Sequence, residues 1–421
     1  MLRRRRRKKP RIFQWCTLHV LWMVVIILMA VGLAIQTLGM TDKKRIRTQD
    51  VEQPRVVPVT SREVRALEDT CQPKTHVMFL KTHKTAGSTI LNILYRFGEA
   101  RNLTFALPAS YQFGYPLLFS TRKIKFYSPL KAQEYHIICN HMRFYRPQVE
   151  KVMAKGTFYF SILRNPVTLV ESSFTYYKGS SMAFKKVESL EQFLSEPWKY
   201  YSTKERGSHY ARNLMWFDFG FDHNANSSKQ YVDLVLNEIG NTFHLILISE
   251  YFDESMILLK DALCWEFDDV VSFKLNLRNN VTVKKLSDQV ADRVKAWNSL
   301  DWRLYSHFNK TFWQKVDQYG RQRMRKDVQI LQNKRKKLMD LCLEGSSPVD
   351  ASLIQDRNIK PFQYGRARIM GYNLNSNLDN STREKCLRMV MPELQYKDLL
   401  DAKFFPSVTS RKVLQAPPLH L

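Results

Sequence analysis

The chain has 421 residues, and its 66 lysines and arginines against 39 aspartates and glutamates give a formal net charge of +27. Such a charge favours an anionic ligand, a polyanion or an acidic membrane as the partner. Nucleic acid is not implied, because the chain carries no zinc-finger, RNA-recognition or homeodomain pattern.

Residues Trp15 to Ile35 form an uncharged, largely apolar run of 21 residues. About 20 residues suffice to cross a bilayer, and a cleaved signal peptide would have a shorter apolar core. The basic block in front of the run is expected to stay in the cytoplasm. The predicted organisation is a cytoplasmic tail at 1–14, a transmembrane signal anchor at 15–38, a lumenal stem at 39–75, a lumenal body at 76–400 and a C-terminal tail at 401–421.

Glycosylation sequons agree with a lumenal body, although a chain of this length carries a few by chance. They begin at Asn102, Asn226, Asn280, Asn309 and Asn380.

Five of the six cysteines lie beyond the apolar run, and none has metal-ligand spacing. Because five is odd, at most two intrachain disulfides can form. We expect Cys342 to pair with Cys386, since both lie in polar C-terminal segments where a covalent link is most useful. Cys139, at the end of a buried strand, is then the expected free thiol.

The body begins with a strand, a tight loop and a helix. The run VMFL at 77–80 is apolar and of strand type, KTHKTAGST follows it, and the next segment has apolar residues at the spacing of one helix face. This layout directs backbone N–H groups and a helix N-terminus at an anion. We predict that this phosphate loop binds a phosphate or a phosphate-like group through Lys84, Thr85, Ala86, Gly87, Ser88 and Thr89.

The phosphate loop differs from the ATP-binding loop, which requires a lysine directly after the last glycine. Here Lys84 comes three residues before Gly87. The form Lys-Thr-x-(Gly/Ser)-Ser-Thr resembles the phosphosulfate-binding loop of sulfotransferases. An ordinary strand-to-helix turn with a surface lysine is the alternative, because short motifs match by accident.

Three further apolar strands are predicted at 135–139, 157–163 and 243–249. Strands that alternate with helices indicate an α/β fold with a mostly parallel sheet and helices on both faces. From Asp301 to about Leu343 the composition is helical, and its later part is strongly basic. That part is either a solvated helix face or a surface for an anionic acceptor or membrane.

At the end of the third predicted strand, Arg164 is followed eight residues later by Ser172. An arginine at a strand end and a serine two turns into the next helix can converge on one phosphate, to which arginine offers a planar pair of donors. The signal is weak alone and gains weight from the phosphate loop. We therefore predict a second phosphate site at Arg164 and Ser172.

The candidate general base is His141, which follows the second predicted strand. A lone histidine is more often structural than catalytic, but imidazole suits proton abstraction near neutral pH. His83 is the main rival, although a residue inside the phosphate loop is expected to reach an acceptor hydroxyl poorly.

Six segments together resemble the galactose-3-O-sulfotransferase family. They are FLKTHKTAGSTILNILYRF, IICNHMRF, FYFSILRNPVTLVESSF, NLMWFDFGFD, DWRLYSHFN and VMPELQY, within about His76 to Lys397. The resemblance implies a P-loop-like sulfotransferase fold on a type II Golgi membrane protein. It also implies transfer of sulfate from 3′-phosphoadenosine-5′-phosphosulfate (PAPS), without a metal, to the 3-hydroxyl of a non-reducing β-galactose on a glycan. Galactosylceramide, a glycolipid, is the near alternative acceptor.

The resemblance also implies roles for individual residues. The phosphate loop holds the 5′-phosphosulfate, and its Lys84 stabilises the departing phosphate. Arg164 and Ser172 hold the 3′-phosphate, and His141 takes the proton of the galactose hydroxyl. Position 165 is Asn where many relatives have Asp, from which no loss of phosphate binding is expected. No nucleic-acid partner is expected, and a homo-oligomer is left open.

Two other classes of protein remain open. A nucleotide kinase would need a metal-holding acid and the lysine of the ATP loop, and that lysine is misplaced here. A membrane-anchored binder of sulfated glycans rests on charge alone, and predicts that Lys84 and His141 are dispensable while the basic helix is not.

Overall fold

A computed structural model of the chain describes residues 71–130 and 133–406, together with Ile27 and Met29. The chain divides into two units, Met1–Thr70 and Cys71–Leu421, and the fold is that of the second unit. The predicted cytoplasmic tail, the membrane anchor apart from Ile27 and Met29, most of the stem, and residues 407–421 lie outside the described part. Within the described residues, no helix is both long enough and apolar enough to span a bilayer.

The second unit contains a five-stranded sheet in which every pairing is parallel. The strands are β1 (Val77–Leu80), β2 (Phe105–Ala106), β3 (Ile137–Ile138), β4 (Phe158–Leu163) and β5 (Leu245–Ile248), in the order β2-β3-β1-β4-β5. The sequences VMFL of β1 and LILI of β5 are apolar and fully buried, as expected where helices cover both faces of a parallel sheet. Because β3, β1 and β4 are neighbours, the loops that follow them meet at one edge of the sheet.

Helices connect and flank the strands. In the described residues the α-helices are α1 (Gly87–Ala100), α2 (Arg146–Val149), α3 (Pro166–Tyr177), α4 (Met182–Lys185), α5 (Leu190–Ser195), α6 (Pro197–Tyr200), α7 (Leu214–Asp218), α8 (Lys229–Thr242), α9 (Phe252–Leu263), α10 (Phe267–Val270), α11 (Asp288–Trp297), α12 (Ser299–Tyr319), α13 (Arg321–Cys342), α14 (Asn380–Val390) and α15 (Glu393–Phe404). The last helix, α15, packs against α1, so the C-terminal part of the body lies beside the helix that starts at the phosphate loop. A two-stranded antiparallel ribbon joins β6 (Val349–Asp350) to β7 (Met370–Gly371).

The predicted parallel sheet flanked by helices is confirmed, with differences in detail. Strand β1 has the predicted bounds, while the strand predicted at 135–139 shortens to the two residues of β3. The helical region at 301–343 is two helices, α12 and α13, because Gly320 between them has φ of 95°, a conformation that glycine adopts readily. The edge strand β2 has no sequence signal, since two residues are too few to show a period. Helix α15 continues past residue 400 to Phe404, so it includes the first residues of the predicted C-terminal tail at 401–421.

Two disulfides are present in the described part of the chain. One joins Cys342 to Cys386, the pair expected from the sequence, and the other joins Cys71 to Cys264. Cys139 is buried and free. The link from Cys71 fixes the first residue of the second unit to the end of α9, which the sequence pattern does not indicate.

The sequon asparagines differ in exposure. Four of them, Asn102, Asn226, Asn280 and Asn380, are exposed. The fifth, Asn309, is half-buried in the middle of α12, and its amide oxygen is buried without a partner among the described residues.

Candidate active site

The phosphate loop leaves β1 and begins α1 with two residues in the left-handed conformation. Lys84 has φ of 61° and Ala86 has φ of 69°, values that cost energy for residues other than glycine and recur at functional sites. Two buried threonines hold this shape. Thr85 Oγ1 donates to the Thr82 carbonyl at 3.0 Å, and Thr82 Oγ1 donates to the Ile162 carbonyl at 2.5 Å. The loop is thereby fixed to the neighbouring strand β4.

Gly87, the first residue of α1, allows the Lys81 side chain to cross the helix N-terminus. A Cβ at position 87 would lie 2.8 Å from Lys81 Cγ and 3.3 Å from its Cε. Lys81 is buried, and its Nζ lies 2.9 Å from His141 Nε2 and 2.9 and 2.7 Å from the two carboxylate oxygens of Glu393. Ser88 Oγ donates to the same carboxylate at 2.9 Å. A lysine, an imidazole and a carboxylate therefore meet at the start of α1.

His141 is held as a neutral imidazole. Its Nδ1 lies 3.0 Å from the Lys81 carbonyl, which can only accept, so Nδ1 carries the proton and Nε2 accepts from the Lys81 ammonium. Burial, followed by the charges of Lys81 and His83, lowers the pKa of His141 well below its usual value. The Nε2 lone pair, which a general base would use, is thus engaged by Lys81.

His83 is a second imidazole, stacked on the first with 4.1 Å between ring centroids. Its Nδ1 lies 3.0 Å from Asp218 Oδ1, and the same carboxylate accepts the His83 backbone N–H at 2.8 Å and the Tyr115 hydroxyl at 2.9 Å. Because Asp218 accepts from Nδ1, the lone pair of His83 is on Nε2, which makes no hydrogen bond to the described part of the chain. Such a His–Asp pair orients an imidazole for proton abstraction. The geometry therefore makes His83 a second candidate base beside His141.

Lys84 is half-buried, and its ammonium lies 3.6 Å from the centroid of the Tyr176 ring. Burial is the main cause that lowers the pKa of Lys84 to about 7, and the positive charges of Arg164 and Arg278 add to the effect. A lysine that titrates near neutral pH beside two arginines is the arrangement expected where a bound anion supplies the missing negative charge.

This pKa predicts that the site takes up a proton when it binds an anion, such as 3′-phosphoadenosine-5′-phosphate (PAP), the bisphosphate product expected if PAPS is the donor. The charged form of Lys84 is present below pH 7 and is lost as pH rises through about 7. At pH 8 the free site holds a neutral lysine, and a bound anion restores its charge. We expect uptake of about one proton per PAP at pH 8, measured by calorimetry in buffers of different ionisation enthalpy. Lys84→Arg stays charged and should show no uptake; equal heats for the wild type in all buffers would contradict the prediction.

Arg278 is an additional arginine at the second phosphate site predicted from Arg164 and Ser172. Arg164, at the end of β4, donates from Nη1 to the Lys84 carbonyl at 3.0 Å, which links the two sites. Ser172 is buried on α3. Arg278 donates from Nη2 to Glu171, the neighbour of Ser172 in sequence, while its buried Nη1 has no partner among the described residues. A buried guanidinium with an open N–H, close enough to Arg164 for the two charges to interact, fits a phosphate.

The hydroxyl groups of the phosphate loop make different hydrogen bonds. Thr89 Oγ1 accepts the Leu275 backbone N–H at 3.0 Å, and Thr85 Oγ1 is bonded within the loop. The Thr85 hydroxyl proton is therefore used within the loop, whereas the Thr89 O–H can still donate to a ligand and the Thr89 backbone N–H is taken by the Ala86 carbonyl at 3.1 Å. Of the predicted hydroxyls in this loop, Ser88 faces the site, where Glu393 accepts its hydrogen bond.

Four polar residues of the site were missed by sequence reasoning, namely Lys81, Asp218, Arg278 and Glu393. Lys81 stands in the same motif as Lys84, but the loop pattern points to Lys84 alone. Asp218 and Glu393 lie in NLMWFDFGFD and VMPELQY, two of the segments that carry the family resemblance. Those segments were the available signal, but no pattern within them singles out the carboxylates.

The donors that face the site suit an anion. Lysine, arginine and hydroxyl groups bind phosphate and sulfate oxygens, whereas metal sites need carboxylate, imidazole or thiolate ligands that converge. Within the described residues, no group of three or more His, Cys, Asp or Glu side chains is placed to hold a metal ion.

Comparison with known proteins shows the family. The galactose-3-O-sulfotransferase family model matches residues 3–404. Galactose-3-O-sulfotransferase 2 of Mus musculus is 48% identical, over 81% of this chain and 88% of the relative. Galactose-3-O-sulfotransferase 4 of Homo sapiens is 36% identical over 93% and 95%, and galactosylceramide sulfotransferase of Homo sapiens is 42% identical over 77% and 78%. The chain therefore belongs to the galactose-3-O-sulfotransferase family.

Proposed function

We propose that this protein transfers the sulfuryl group of PAPS to the 3-hydroxyl of a non-reducing galactose on a glycan. One observation carries the proposal: the phosphate loop places cations and a stacked imidazole pair together at the end of β1, in a family named for this transfer. Relatives named galactose-3-O-sulfotransferase 2 and 4 support galactose O3 as the acceptor position. A galactosylceramide acceptor is the second candidate, because a galactosylceramide sulfotransferase is 42% identical.

The residues at the phosphate loop fit the two anionic ends of PAPS. Lys84 and the first backbone N–H groups of α1 would hold the phosphosulfate end. Arg164, Arg278 and Ser172 would hold the 3′-phosphate end, where the open Nη1 of Arg278 finds an acceptor. When bound, PAPS supplies an activated sulfuryl group on a phosphate leaving group. Lys84 then stabilises the charge that develops on that phosphate, as a preorganised donor does.

The reaction also requires a base that removes the proton of the galactose hydroxyl. We assign this role to His83. The sequence pattern favoured His141, but Lys81 engages His141 Nε2, and the low pKa of His141 makes it a weak base. His83 offers a free Nε2, and Asp218 can stabilise the imidazolium that forms. His141 is then a positioning residue that holds Lys81 at the helix start.

The reaction balances with these groups alone. Galactose O3 forms the new oxygen–sulfur bond, and the bond from sulfur to the 5′-phosphate oxygen breaks. The hydroxyl proton moves to His83 Nε2 and from there to solvent. The products are a 3-O-sulfated galactose and PAP.

The test is an assay of the full-length, detergent-solubilised protein with labelled PAPS and a panel of galactosides. We expect label on lactosamine or core-1 glycans at galactose O3, and none on the matched 3-deoxygalactoside. Labelled ATP in place of PAPS tests the kinase alternative. Sulfate at another hydroxyl, or transfer from ATP alone, would contradict the proposal, and a preference for galactosylceramide would favour the second acceptor.

We also propose that the protein is a type II Golgi membrane protein with a lumenal body. The proposal is supported by the basic block before the apolar run at 15–35 and by four exposed sequon asparagines. Protease protection of the body in sealed Golgi vesicles, together with glycosidase-sensitive mobility, tests it. Digestion of the body without detergent would contradict it.

Arg164→Ala is predicted to weaken PAP binding while sparing adenosine 5′-monophosphate, which lacks the 3′-phosphate. Hydrogen bonds to charged groups contribute about 1.5–3 kcal/mol each, so the loss of PAP affinity should be about ten- to a hundredfold. Titration calorimetry with both nucleotides measures it. Arg321→Ala, which removes an exposed arginine paired with Asp317, is the control. Equal losses for both nucleotides would place Arg164 away from the 3′-phosphate.

A further inference from the structure

Glu393, the first residue of α15, places a carboxylate at the phosphate loop. Its Oε2 accepts from Lys81 Nζ at 2.7 Å and from Ser88 Oγ at 2.9 Å, and its Oε1 accepts from Lys81 Nζ at 2.9 Å. The Tyr111 side chain lies near this carboxylate, and burial together with the Glu393 charge raises the pKa of the Tyr111 hydroxyl well above its usual value. The side chain is 9% exposed. A largely buried negative charge therefore lies in a site that must receive an anion.

Glu393 uses donors that an incoming phosphosulfate needs. Ser88 is the second residue of α1, where the helix N-terminus favours negative charge. The Lys81 ammonium has three N–H groups, and its contacts with two carboxylate oxygens and with His141 Nε2 account for all of them. A second anion cannot share these donors with the carboxylate without strong repulsion, because like charges placed together in a buried site cost several kcal/mol.

We propose that Glu393 is a built-in competitor of the sulfate donor. It binds Lys81 and Ser88 while the site is free of donor, and the phosphosulfate takes both groups from it on binding. After transfer, the carboxylate returns to Lys81 and Ser88 and so promotes release of PAP. The proposal rests on the proposed function, since it requires PAPS as the ligand of the phosphate loop. Glu393 acts through Lys81 and Ser88 and is therefore a positioning residue.

The test is the affinity of PAP for the full-length solubilised protein and its variants, measured by calorimetry, with the dissociation rate from stopped flow. Glu393→Gln keeps the shape of the side chain and removes its charge, so PAP should bind at least about tenfold more tightly and dissociate more slowly. Glu393→Asp keeps the charge and should stay within about threefold of the wild type. A structural role alone predicts weaker binding, not tighter binding.

Glu99→Gln is the matched control. Glu99 accepts hydrogen bonds from Arg388 of α14 and Tyr396 of α15, so its neutralisation loosens the same helices without freeing Ser88. PAP affinity in this variant should equal that of the wild type. A gain as large as that of Glu393→Gln would assign the effect to loosened helices and overturn the proposal.

The remaining outcomes are equally decisive. Unchanged or weaker PAP binding by folded Glu393→Gln overturns the proposal. A loss of turnover at unchanged PAP affinity also overturns it, and makes Glu393 a proton acceptor instead. If Glu393→Gln does not fold, Glu393→Ala carries the same expectation of tighter binding. A wild-type protein that does not bind PAP contradicts the proposed function itself.

Discussion

Lys84→Ala is expected to lower kcat by about a hundred- to a thousandfold, the loss typical when one preorganised donor to a developing negative charge is removed. The fold should persist, because burial and the neighbouring arginines already disfavour the ammonium and lower the pKa of Lys84 to about 7. The native structure therefore does not depend on that charge. The measurements are kcat at saturating PAPS and galactoside, with thermal unfolding as the check on folding.

Lys326→Ala is the matched control for Lys84→Ala. Lys326 is exposed on the basic helix α13, so the same substitution there removes a charge from the surface and should leave kcat unchanged. The control also tests the glycan-binding alternative, which requires the basic helix and not the phosphate loop. A folded Lys84→Ala protein with normal kcat would remove Lys84 from the reaction.

The parts of the site that the sequence predicts are local in the chain. Strand β1, the phosphate loop and the start of α1 follow one another without interruption, so hydrophobic period and loop composition suffice to place Lys84 and Ser88. Arg164 is predicted for the same reason, since a strand end and a proline at the helix start mark its position.

The parts that the sequence does not predict depend on contacts between distant segments. Glu393 is 312 residues from Lys81, and Asp218 is 135 residues from His83. Neither carboxylate lies in a periodic pattern that would direct it to the phosphate loop. The contacts exist because α15 packs against α1 and because α7 ends beside the loop. For the same reason the sequence alone could not show that Lys81 engages His141.

These contacts change which histidine is expected to matter most for proton transfer. His83→Gln should lower kcat by about a hundred- to ten-thousandfold, the range for loss of a general base, while PAP affinity stays near that of the wild type. The reason is that glutamine has no group that accepts a proton near neutral pH. Asp218→Asn should lower kcat too, because it removes the carboxylate that orients His83 and stabilises its imidazolium.

His141→Gln separates the two histidines. The glutamine amide oxygen can still accept from Lys81, so a positioning role for His141 predicts a loss of kcat within about tenfold, whereas a base at that position predicts at least about a hundredfold. The pH profile gives a second measure, since the pKa of His141 lies well below its usual value. If His141 were the base, wild-type kcat would decline with falling pH only well below pH 6.5. This pH-dependent decline would be absent in His141→Gln. A hundredfold loss of kcat in His141→Gln, together with normal kcat in His83→Gln, would identify His141 as the base. Lys81 would then have to move away from His141 when the donor binds.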